Sequence, residues 1–308
     1  MLYLLIVLCL GLCVPLQTAA NARLRQVVGP AYVSTLISFS VSSLFLIGIA
    51  VFAGIGIMPN QTALQTAPWW SWFGGIIALL TLTCAIYLFK EIGQLQGMLI
   101  PMFSQLLFSL CIDHFGWFGS TIIPFDLKRI IGATLLIVGV TLVVVLPGIG
   151  KKIGNQNGSV MRKLFWQLCA IISGCLMASI GAIYARLGTV IGSAIQASII
   201  SFIIATTAIT VYCVICGKIH TVGMAFSRKY PWWMWLGGFA GATTVFGNAW
   251  FIPKIGVGLF VMALLIGQLV LSLLMEHNGW LGAPKKEITA RQMIGIAIML
   301  AGVVLIRI

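Results

Sequence analysis

The stretch Pro68-Trp69-Trp70-x-Trp72-x-Gly74-Gly75 returns 163 residues later as Pro231-Trp232-Trp233-x-Trp235-x-Gly237-Gly238, and the same offset holds along most of the chain. Arg23-Leu24 realigns with Arg186-Leu187, Ser38-Phe39 with Ser201-Phe202, and Gln105 with Gln268. His114-x-Gly116-Trp117-x-Gly119 realigns with His277-x-Gly279-Trp280-x-Gly282, and Gly132 and Gly139 realign with Gly295 and Gly302. The register needs no gap. Two copies of one unit, residues 1–147 and 165–308, are joined by a Gly- and Lys-rich linker at 148–164. Each unit reads as five apolar stretches, so the second copy enters the membrane upside down relative to the first. Inverted repeats with an odd number of spans are a known construction of secondary transporters.

Composition sets the environment. With 60% apolar and 7% charged residues, 308 residues cannot cover a water-soluble surface. A span needs about 20 mostly apolar residues, and ten such stretches can be marked. They are 2–22, 33–55, 70–89, 94–112, 130–147, 165–185, 196–216, 233–252, 257–275 and 292–308. Backbone polar groups have no water partners in lipid, so spans this apolar are helices. The expected fold is an all-α integral membrane protein with ten transmembrane helices in an inverted 5+5 repeat. The first stretch is read as a span and not a cleaved signal, because no basic residue precedes it and its copy at 165–185 is internal.

The net charge of +13 is spread over short loops, which argues against nucleic acid and reports topology. With both termini outside, the inner loops hold Arg23, Arg25, Lys90, Lys151, Lys152, Arg162, Lys163, Lys218, Arg228, Lys229, Lys285, Lys286 and Arg291. The outer side holds Lys128, Arg129, Arg186, Lys254 and Arg307. Basic residues gather on the cytoplasmic side, so the linker is cytoplasmic and the protein sits in a plasma membrane with both ends out. The eight cysteines lie in or beside spans and read as packing residues. The lone Cys213-x-x-Cys216 is weak as a metal motif, and no metal or cofactor is expected. No phosphate loop, zinc motif or nucleophile elbow appears, so ATP hydrolysis and enzymatic chemistry find no support.

Polar side chains inside spans are functional candidates. Gln105, Ser109 and Asp113 share one helix face at i, i+4, i+8, and Gln268, Ser272 and Glu276 repeat it; His114 and His277 follow the carboxylates. The glutamines fall near the midplane, and inversion places Asp113 and Glu276 toward opposite surfaces. Glutamines and serines read as substrate contacts and the carboxylate-histidine pairs as coupling or gating groups; the alternative is that Gln and Ser bond a neighbouring helix and the pairs end helices at the headgroups. Arg23 and Arg186 close the first and sixth spans, with Asn21 two residues before Arg23. An arginine kept on both sides of the membrane is not explained by topology and joins the substrate-binding set, with an interhelical contact or snorkelling toward the headgroups as the alternatives. The tryptophan clusters read as an interfacial belt, and the glycines after them as sites of close helix approach.

These residues resemble the YdcZ-type proteins of the drug/metabolite transporter superfamily. The resemblance rests on Asn21-Ala22-Arg23-Leu24 with Gly29, Ser38-Phe39, Pro253-Lys254-Ile255-Gly256, and Gly267-Gln268-Leu269 through Ser272 to Glu276-His277-x-Gly279. It covers nearly the whole chain as two fused five-span units and implies a bacterial inner-membrane exporter of small molecules. The first copy departs from it at Lys90-Glu91, where the second has Pro253-Lys254, and at Ser104, where the second has Gly267. Superfamily members that expel cations carry a carboxylate in the first helix, and neither 2–22 nor 165–185 has one. The expected partners are a small-molecule substrate and the bilayer. One chain holds both repeats, so a monomer suffices, with a homodimer as the alternative. A sensor or assembly protein, or one that moves lipid, stays open as an alternative at this stage.

Overall fold

The computed structural model describes residues 2–59, 61–145, 160–226, 231–282, 285 and 287–307. It is built of helices and, among the described residues, contains no strand. The first copy supplies α1 (Leu2–Gly11), α2 (Cys13–Val28), α3 (Ala31–Phe52), α4 (Gln61–Thr66), α5 (Gly74–Glu91), α6 (Gly93–Phe115) and α7 (Leu127–Val140). The second supplies α8 (Val160–Ile191), α9 (Ala194–Ile215), α10 (Leu236–Ile255), α11 (Val257–Asn278) and α12 (Ala290–Arg307). The linker expected at 148–164 lies, up to residue 159, outside the described residues.

Local chemistry explains the boundaries. α1 and α2 form one apolar rod, Leu2–Val28, interrupted at Leu12. Pro15 causes the interruption, since its ring crowds the Gly11 carbonyl and offers no N–H to it. The 3-10 turns Trp69–Phe73 and Trp232–Trp235 each follow a proline and deliver the chain into α5 and α10. α6 and α11 stop at Gly116 (φ 66°) and Gly279 (φ 69°), left-handed positions that glycine fills at no steric cost. α8 runs for 32 residues, well past the expected 165–185, because nothing breaks it before Gly192.

Six helical segments among the described residues are long and apolar enough to cross a membrane: Leu2–Val28, Ala31–Phe52, Gln96–Phe115, Met161–Ile191, Ala194–Ile215 and Val257–Asn278. Trp69–Leu82 and Ala290–Ile306 form shorter apolar helices. α7 has 14 residues and is prolonged by a π turn at Thr141–Val145. α10 is diluted by glycine, threonine and asparagine.

Backbones approach through glycines. Gly132 faces the Gly302 carbonyl and Gly139 the Gly295 carbonyl, and each contact is returned by its partner, so α7 and α12 run antiparallel in close contact. Gly11 sits on the α11 backbone at Leu264 and Gly267, and Gly174 sits on the α6 backbone at Pro101. α3 and α9 cross where Phe39 meets Phe202 (ring centroids 5.5 Å apart) and Ser43 meets Thr206 (3.5 Å). α11 is the buried axis of the bundle, with every residue from Val257 to Gly267 buried.

Overpacking a close helix contact costs about 1–3 kcal/mol. Gly139→Ala is therefore expected to lower the melting temperature in detergent. Gly48→Ala, at a helical glycine where an added methyl would have nothing within 4 Å, should leave it unchanged or raise it.

Candidate functional site

The two polar stripes differ in exposure. On α6, Gln105 is half-buried while Ser109 and Asp113 are fully buried; on α11, Gln268, Ser272 and Glu276 are all half-buried. Ser109 Oγ donates to the Leu106 carbonyl. No hydrogen bond joins Gln105 to Gln268 among the described residues, although α6 and α11 pack together.

Asp113 is enclosed by the protein. Its side chain is 0% exposed, with Oδ1 accepting from Val257 N (2.7 Å) and Oδ2 from Gly258 N (2.9 Å), so it caps the first turn of α11. A carboxylate suits a helix N-terminus because the unpaired amides and the dipole both favour negative charge. Arg129 Nη1 lies 3.7 Å from Oδ2 and donates to the Ile123 carbonyl, while Ile123 N donates back to the Asp113 carbonyl. A Cβ at Gly256 or Gly258 would fall 2.9 or 3.0 Å from Asp113 Oδ2, so those glycines make room for the carboxylate. His114 accepts at Nδ1 from Phe125 N and stacks on the Phe125 ring, pinning the same loop. His277 is exposed. Among the described residues, no group of His, Cys, Asp and Glu is arranged to hold a metal.

Asn21 Oδ1 is buried against Gly237 and has no hydrogen-bond partner, and neither has the buried Ser38 Oγ. Gln17 lies against Gly241, and Ser42 Oγ donates to the Gly238 carbonyl. These groups gather where the glycine-rich start of α10 meets α2 and α3. Tyr184, the repeat counterpart of Asn21, is buried against Gly74. Arg23 Nη1 donates to Gln26 Oε1 (2.7 Å), whereas Arg186 lies over Gly119.

Three contacts escape the sequence reading. Arg129 reads there only as a topology charge, yet it is 6% exposed and faces Asp113. Lys254 Nζ sits 3.6 Å from the Trp250 ring centroid and 5.3 Å from that of Tyr3, a cation–π contact. Glu91 pairs with Arg162 at 2.7 Å. The Gly256-x-Gly258 spacing is the signal in the sequence that points toward Asp113.

Repeat-related helix pairs are packed differently. α10 packs along α8, with a Cβ at Gly181 reaching 2.9 Å from Asn248 Oδ1 and one at Gly188 reaching 3.3 Å from the Ala249 carbonyl. The equivalent pair is α5 and α2, and among the described residues it has no comparable packing. Thr18, Ala22 and Arg25, which stand where α8 has Gly181, Ala185 and Gly188, are exposed. The α8–α10 seam and the Asp113 cap lie at the same end of the bundle, where Gly256 closes α10 beside Asp113, and the α2–α5 pair lies toward Glu276.

A family described as "Putative inner membrane exporter, YdcZ" matches residues 2–142 and again 165–305. The chain belongs to this family. It carries two family units in one polypeptide, and the family is one of inner-membrane exporters, not of enzymes. A solved structure titled only "Crystal structure of protein" shares the fold, with a TM-score of 0.66 at 16% identity over 99% of this chain and 95% of that one. No curated protein matches.

Removing one partner of a buried, hydrogen-bonded charge pair typically costs about 3–5 kcal/mol. In this YdcZ-family chain, Asp113→Ala orphans two amides and the Arg129 charge and should lower the detergent melting temperature strongly. Asp113→Asn, which keeps an acceptor oxygen for one of the two amides, should lower it less; equal losses would contradict the cap.

Proposed function

We propose that the chain is a secondary transporter that exports a small metabolite or amphipathic compound by alternating access. Its ten spans, the six long apolar helices with α5, α7, α10 and α12, form two inverted five-helix repeats with both termini outside the cytoplasm. A single chain is the working unit.

One observation carries this reading: α10 is packed on α8, while among the described residues the repeat-equivalent α2 and α5 have no comparable packing and Thr18, Ala22 and Arg25 of α2 are exposed. The first seam is read as closed and the second as open. Two copies of one fold in two states are what a pathway open to one side requires, and exchange of the two states would open the other side. A sensor or scaffold has no need of this asymmetry. Under the charge distribution, the open end faces the cytoplasm and the end capped by Asp113 faces out.

Gln105 and Gln268 contact substrate near the midplane, with Ser272 continuing the path toward the open end and Asn21 and Ser38 at its α10 side. Ser109 faces the path only when the closed end opens. Arg23 and Arg186 stand at opposite mouths. Asp113 and Glu276 gate: Asp113 holds the closed end by capping α11, and Glu276 is its repeat counterpart at the open end, each followed by its histidine, His114 or His277. No carboxylate lies on the first or sixth span, so coupling runs through these gates.

A membrane-impermeant maleimide should label Gln268→Cys much faster from the cytoplasmic face, in inside-out vesicles, than from the outer face. Gln268→Leu should abolish ligand-induced thermal shifts while inserting normally. Labelling from neither face would favour a non-transporting protein.

A further inference from the structure

The two arginines kept in both repeats make different contacts, and the difference follows the state of the bundle. Arg186 Cδ, Nε and Cζ lie so near Gly119 that a Cβ there would be 3.1, 3.1 and 3.2 Å from them. At the equivalent Gly282 a Cβ would have nothing within 4 Å. Arg23, which would occupy that place, is turned along its own helix and donates to Gln26. The counterpart of Gln26 is Thr189, whose hydroxyl donates to the Arg186 carbonyl and leaves the guanidinium unheld.

The surfaces that receive the arginines are alike. Gly116, Phe118 and Gly119 have φ of 66°, 58° and 70°, and Gly279, Leu281 and Gly282 have 69°, 53° and 83°. Phe118 and Leu281 are the only non-glycine residues with positive φ among the described residues. Such a conformation persists only where its surroundings hold it, and it is held in both copies. The turns therefore have the same backbone form at the two ends, and it is the arginine's contact with them that differs. Arg186 and Gly119 lie at the closed end, beside the α8–α10 seam and the Asp113 cap. Arg23 and Gly282 lie at the open one.

We infer that Arg186 and Arg23 are alternating latches: Arg186 on the Gly116–Gly119 loop holds this state, and Arg23 on the Gly279–Gly282 loop holds the opposite one. This rests on the alternating-access reading. It explains why an arginine stands at both mouths although the two face opposite sides: each is needed in one state. The planar guanidinium covers a bare glycine backbone, which a side chain at 119 or 282 would block.

The test uses the full chain without native cysteines, carrying one reporter, Ala185→Cys in the closed seam or Ala22→Cys in the open one, and reads maleimide labelling rates. Arg186→Ala should raise labelling at 185 by about tenfold and lower it at 22, within the range of ordinary coupling energies. Arg23→Ala should lower labelling at 185 and keep 22 fast. Gly119→Ala and Gly282→Ala give a second pair, strained alike by positive φ: the first should raise labelling at 185 and the second should not. Changes of the same sign for both arginine variants, no change, or a rise at 185 without a fall at 22 would overturn the latches. If the parent chain labels 22 and 185 equally, alternating access itself fails.

Discussion

Close approach of helix backbones through glycine is the constraint on which this molecule depends. In lipid, apolar side chains gain little by facing each other, so association rests on dense packing and on what few polar contacts can be made. Gly132 and Gly139 of α7 against Gly302 and Gly295 of α12, and Gly11 and Gly174 against the backbones of α11 and α6, tie one repeat to the other. These contacts occur in equivalent pairs and treat the two copies alike.

The contacts that treat the copies differently are those at α10 and α5. Gly181 and Gly188 let α10 settle on α8, while α2 offers Thr18 and Arg25 at the same places. A bulky cationic side chain makes a poorer seam than glycine. The state with the α8–α10 end closed is thus favoured by the sequence itself, with Asp113 adding a buried, twice-hydrogen-bonded cap at that end. In the proposed alternating-access cycle, substrate must bind the opposite state better to shift the balance, since a ligand with equal affinity for both shifts nothing.

Much of the fold is legible in the sequence because repetition can be read without knowing the structure. The offset that aligns Gly132 with Gly295 also names the residues through which α7 meets α12. Helix ends follow from proline and glycine at Pro68, Pro231, Gly116 and Gly279. The site is less legible. Asp113 sits beside His114 and a glycine turn, and locally that pattern looks interfacial; its partners, Val257 and Gly258, are 144 and 145 residues away. Arg129 reads as a surface charge for the same reason. The difference between the two seams shows in the repeat only as substitutions at single positions, Gly181 and Gly188 against Thr18 and Arg25, and their meaning emerges only once α8 is seen packed on α10.

The most direct measurement is pulsed electron paramagnetic resonance on two spin-label pairs in reconstituted protein, one spanning α8 and α10 and the other α2 and α5. The account predicts a short distance for the first pair and a longer one for the second at rest. It further predicts opposite changes whenever either moves, so that lengthening across α8–α10 accompanies shortening across α2–α5. Two seams that lengthen together, or that hold one fixed pair of distances under every condition, would contradict it.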